Sequence, residues 1–124
     1  MQLTIPVVFE AWIGGPLGPS YKVALEGSSV VYEVYEQDYV LHNRETVKPS
    51  SAQWSRFLHR LDEIGVWRWQ EEYDTTDPHD ETNWSLSLSH HGRHVVSRGE
   101  GQYAPGFVDY LRAVRDLLGG RQFA

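Results

Sequence analysis

Between Ser50 and Ser89 the chain changes its apolar spacing once, and that change limits the fold more than any other feature. Ser50 followed by Gln53 is a reciprocal capping pair, in which each side chain serves the other's backbone amide. Trp54, Phe57, Leu58, Leu61 and Ile64 then recur at helical spacing, and Gly65 supplies a left-handed stop. After Gly65 the period falls to two. Val66 to Tyr73 reads as a strand with Trp67, Trp69 and Tyr73 on one side and Arg68, Gln70 and Glu72 on the other. Trp84, Leu86 and Leu88 alternate in the same way with Ser85, Ser87 and Ser89. Four of the five tryptophans lie in this stretch, so the core lies there too. A helix beside one-sided strands requires a sheet with one buried face.

The flanking segments extend that sheet. Leu3, Ile5, Val7, Phe9 and Ala11 alternate with more polar neighbours in a first strand, and Pro6, which cannot donate to a ladder, predicts a sheet edge. Gly14-Gly15-Pro16-Leu17-Gly18-Pro19 is a loop. Tyr21, Val23 and Leu25 mark a second strand, Gly27-Ser28-Ser29 a turn, and Val30, Tyr32 and Val34 a third strand fading by Asp38. Residues 39–49 read as a polar connection. A hairpin turn near His91-Gly92-Arg93 returns the chain through Val95, Val96 and Ser97. Pro105 opens a last helix with Phe107, Tyr110, Leu111, Val114 and Leu118 as its apolar stripe, ended by Gly119-Gly120. Each half can be written as three strands and a helix, which is compatible with a repeated βββα unit.

Composition removes several function classes. A chain of 124 residues suits a single domain, 1–124, and 40% hydrophobic content suits a packed core. There is no cysteine, so neither a disulfide nor thiolate chemistry is available; that fits a cytoplasmic setting. No apolar run is long enough to span a membrane, and Met1-Gln2-Leu3-Thr4-Ile5-Pro6 lacks the basic start of a signal peptide. Eleven basic residues are scattered among 17 acidic ones, for a net charge of −6, which disfavours nucleic acid.

Chemical motifs are sparse. His90 and His94 flank a tight turn and could converge, but no cysteine or HExxH pattern completes a zinc set, so no metal and no cofactor is expected. Asp74, Asp77, Asp80 and Glu81 miss the spacing of a calcium loop, and Pro78 stiffens the middle. Gly99-Glu100-Gly101 lacks the remaining elements of a phosphate loop and reads as a strand-to-helix connection. Asp62 and Glu63 lie on the polar side of the first helix with nothing to suggest a pocket. Trp12 is out of phase with Phe9 and Ala11, so it faces away from the core beside the Gly-Pro loop. An exposed tryptophan is a natural anchor for a partner.

The pattern Trp54-x-x-Phe57…Leu61…Val66-Trp67-x-Trp69…Tyr73…Trp84-x-Leu86-x-Leu88…Gly92…Gly99…Pro105-x-Phe107 resembles a family of small uncharacterised bacterial proteins. The resemblance implies a shared fold and brings neither an activity nor catalytic residues.

The expected architecture is α+β: an antiparallel sheet of about five or six strands with two helices on one face. Trp54, Phe57, Leu58, Leu61, Trp67, Trp69, Trp84, Leu86, Leu88, Phe107, Leu111 and Val114 should form the core. The opposite face, carrying Lys22, Arg68, Gln70, Glu72, Ser85, Ser87 and Ser89, would meet solvent or a partner. The expected function is a non-enzymatic interaction or regulatory module that docks a protein or a second copy through that face or through Trp12. The alternative is a metal-assisted hydrolase or ligand binder built on His90 and His94.

Overall fold

Helix α1 (Ser51–Ile64) begins where the capping pair predicts. The Ser50 hydroxyl accepts from the Gln53 amide at 3.1 Å, and the Gln53 side chain accepts from the Ser50 amide at 2.7 Å. Gly65 ends it with φ 86°, a conformation that a Cβ would strain. Trp54, Phe57, Leu58 and Leu61 are the buried face of the helix. The computed structural model describes residues 5–74 and 79–124. Leu3, Asp77 and Pro78, which entered the sequence argument, lie outside the described residues.

Among those residues seven strands form one sheet: β1 (Val8–Gly14), β2 (Ser20–Glu26), β3 (Ser29–Glu36), β4 (Val40–Val47), β5 (Glu72–Asp74), β6 (Asn83–His90) and β7 (Arg93–Glu100). Their order is β4-β3-β2-β1-β6-β7-β5. All neighbours are antiparallel except β5, which joins β7 in parallel. Helices α1 and α2 (Phe107–Leu117) pack together over one face. The fold is therefore α+β, with one strand more than expected.

Three local expectations change. Strand β1 is not an edge: it lies between β2 and β6. Pro6 precedes the strand, so its missing amide removes no ladder bond; Val7, 71% exposed, does not share the buried face of Phe9 and Ala11. The segment after Gly65 is not a strand through Tyr73. Val66–Arg68 is a 3-10 turn, and Val66 and Trp69, three residues apart, are the buried pair. Trp67 is consequently only partly buried, its indole N–H donating to Asp62 at 2.7 Å under the Arg93 guanidinium. Arg93 also donates to Asp62, at 3.0 Å, tying α1 to the β6–β7 hairpin. Leu111 is likewise partly buried, while Ala113 and Leu117 complete the stripe of α2.

The polar connection after β3 contains β4. Of its inward positions Val47 is buried in the core, whereas Asn43 and Glu45 are polar. The chain beyond α2 crosses here: Arg121 donates to Glu45 of β4 at 2.8 Å, Tyr32 of β3 donates to the Gln122 carbonyl at 2.5 Å, and Phe123 is fully buried against Tyr21. The halves also differ in pairing. The first is a four-strand meander; the second is a hairpin with β5 added in parallel.

Candidate functional site

Strand alternation divides the sheet cleanly. Phe9, Ala11, Ile13, Tyr21, Val23, Trp84, Leu86 and Leu88 point under the helices and are buried. The side chains between them form the second face, which no helix covers among the described residues. One paired row crosses that face through all seven strands: Arg44, Glu33, Lys22, Trp12, Ser85, Arg98 and Glu72. Charges alternate on both wings, and an indole stands in the middle.

Trp12 is held in place. Its N–H donates to Asn83 Oδ1 at 2.7 Å, and Tyr35 and Tyr39 pack on it with ring centroids 5.6 and 5.9 Å away. Tyr39 reaches it from a 3-10 turn (Gln37–Tyr39) in which Asp38 and Tyr39 both have left-handed φ, 61° and 60°. Such values are uncommon outside glycine, and for a bulky residue they cost local free energy. The Asp38 amide donates to the Pro16 carbonyl at 2.8 Å, fastening this turn to the Gly-Pro loop. Burial, then the adjacent Glu33, holds the Tyr35 hydroxyl above its ordinary pKa.

Toward β5 the face becomes concave. A cavity of about 360 Å³ has Trp12, Asn83 and Ser85 on one side and Glu72, Arg98, Asp74 and Glu100 on the other. Gly99 lies at its floor for a packing reason: a Cβ there would meet the Trp84 indole nitrogen at 2.5 Å. The Trp84 N–H donates to the Gln102 carbonyl at 2.8 Å, and that of Trp69 to the Pro105 carbonyl at 3.0 Å. These two indoles fix the connection from β7 to α2. Gly99-Glu100-Gly101 thus ends a strand rather than opening a helix.

Of the residues the sequence assigned to this face, Lys22, Glu72, Ser85, Ser87 and Ser89 lie on it, and Trp12, expected beside the Gly-Pro loop as a separate anchor, lies on it too. Arg68 and Gln70 do not. They belong to the turn and connection between α1 and β5, where the Gln70 carbonyl accepts from Ser97 at 2.6 Å and the Arg68 guanidinium folds back toward Gly65. His90 and His94 also separate. His94 is paired with Ser89 and His90 with Arg93, on consecutive and therefore opposite faces of the hairpin. His90 instead meets His91 edge-on at 4.0 Å. Burial, then the charge of His91, lowers the His90 pKa. Among the described residues no three His, Asp or Glu side chains come together as a metal set.

Tyr35, Tyr39, Asn83, Asp74 and Glu100 also stand around Trp12 or line its cavity, and were not expected there from the sequence. Tyr35 carried a signal, since it is out of phase with Val34 as Trp12 is with Ala11. Asn83, Asp74 and Glu100 are placed by the β1–β6, β6–β7 and β5–β7 pairings, and Tyr39 by the turn fastened to Pro16.

Among the described residues no helix is long and apolar enough to cross a membrane. Compared with known protein families the chain matches none, and no curated protein matches it either.

Proposed function

We propose that the protein is an interaction module that docks another protein on the uncovered sheet face, with Trp12 as the anchor. The observation that carries this reading is a partly exposed tryptophan in the middle of that face, braced by Asn83, Tyr35 and Tyr39. Large, rigid aromatic side chains with a satisfied polar atom dominate protein interfaces. The left-handed pair Asp38–Tyr39 supports it, because unfavourable backbone persists where surrounding contacts hold it and gathers at binding sites. An acidic chain without cysteine suits a partner met in the cytoplasm.

The test is capture from a native-host lysate by the immobilised chain, comparing Trp12→Ala, Ser87→Arg and Val108→Arg after circular dichroism has shown each to be folded. Val108 is 62% exposed on α2, on the other side of the molecule. A partner retained by Val108→Arg and lost with both sheet-face variants is the expected outcome. Loss with Val108→Arg alone would move the interface to the helices. Size-exclusion chromatography of the same variants separates a foreign partner from a second copy, for which Ser87→Arg would convert a dimer to a monomer.

A further inference from the structure

We infer that the concavity beside Trp12 receives a cationic side chain, arginine or lysine, presented by a basic protein partner; this rests on the docking face proposed above. Three features converge on that chemistry. First, the cation that lines this cavity, Arg98, is already hydrogen-bonded to Glu72. Second, Asp74 and Glu100 are direct register partners on adjacent parallel strands, so two carboxylates stand side by side. Among the described residues neither forms an ion pair; Arg98, which acts on Asp74 through space, gives its direct contact to Glu72. Like charges placed opposite each other in a sheet are destabilising, and an incoming cation relieves that repulsion. Third, the wall facing them includes an indole, whose face attracts a cation, and the Ser85 hydroxyl can accept from its N–H groups.

The dimensions agree. About 360 Å³ is at the small end of ligand pockets, suited to one long side chain rather than to an extended ligand. A guanidinium is the better fit, because its planar fork can bridge two carboxylates while its face lies on an aromatic ring. A second copy of this chain is disfavoured as occupant. Each copy carries a net charge of −6, and facing sheets would bring the same carboxylates together.

The test uses Nα-acetyl-arginine amide as probe, with the uncharged citrulline analogue and calcium chloride as comparisons, followed by nitrogen–proton correlation NMR of the full chain. Arginine amide should move the Trp12 indole resonance and the backbone amides of Asn83, Ser85 and Glu100 saturably. Citrulline amide should bind about tenfold more weakly or worse, as loss of charge-assisted hydrogen bonds implies. Asp74→Asn combined with Glu100→Gln should abolish the response. Equal shifts from citrulline amide, no saturation, or an unchanged response in the double variant would overturn the inference. So would calcium chloride binding the same residues more tightly than arginine amide, which would make this an ion site. Lysate capture separates the two levels. A partner lost with Trp12→Ala but held by the double variant keeps the docking face and removes the cation pocket. Capture indifferent to Trp12→Ala, with arginine amide still bound, does the reverse.

Discussion

Two residues show how much of this structure depends on single atoms. Ser50 contributes one hydroxyl oxygen to the start of α1, and Ser50→Ala should cost about 0.5–2 kcal/mol through loss of that cap. A urea midpoint equal to wild type at unchanged slope would place the stability of α1 elsewhere. Gly99 contributes the absence of an atom. Gly99→Ala would push a methyl group into the Trp84 indole, and overpacking of this kind costs about 1–3 kcal/mol. The urea midpoint should fall accordingly, and a midpoint identical to wild type would contradict the packing described. Glycine here answers to a neighbour rather than to backbone conformation. Tyr110 is a third case: its hydroxyl is buried without a hydrogen-bond partner among the described residues, and burial pushes its pKa far up, so the ring stays neutral.

Elements are stabilised by what covers them. Glu45 of β4 is met by Arg121, from the segment beyond α2 that also holds the buried Phe123. Phe123→Ala should therefore cost about 3–5 kcal/mol, in the range of a core phenylalanine, although Phe123 belongs to no helix or strand. Thermal unfolding would measure it, and a loss no larger than that of an exposed residue would mean the segment is dispensable. The same geometry explains what could be read from the sequence and what could not. Helix α1, both helix ends, β2, β6 and the β6–β7 hairpin carry their own signals: a cap, a glycine stop, a clean alternation. Strand β4 carries none, because its inward Glu45 is matched to Arg121 from a distant part of the chain. The turn Val66–Arg68 was concealed by the alternating Trp67 and Trp69, whose burial follows a spacing of three. At the candidate site the outward phase of Trp12 and Ser85 was legible, since it depends on alternation within β1 and β6. The partners Asn83, Asp74 and Glu100 were not, since they arrive through long-range pairing.

For the molecule as a whole, the hairpin tip makes stability respond to pH. His90 has a folded pKa lowered below its ordinary 6.5, chiefly by burial and then by His91, with Asp62 opposing. The unfolded chain therefore binds that proton more readily, and stability rises with pH through this window. His90 thus carries no cost above pH 6.5 and weakens the folded state increasingly as pH falls from there toward its lowered folded value. His90→Gln should flatten the dependence of the urea midpoint over that interval; an unchanged slope would assign the response to another group. Strand β1 has a different consequence, one of time rather than of energy. The pairs β1–β2, β2–β3, β3–β4 and β6–β7 each close short loops, whereas β1 meets β6 by joining Phe9 to Leu88 and Ile13 to Trp84. Loop-closure entropy must be met before such remote contacts compensate it, and topologies rich in them fold slowly. The seam between β1 and β6 is thus where the longest stretch of chain between sheet neighbours must be closed.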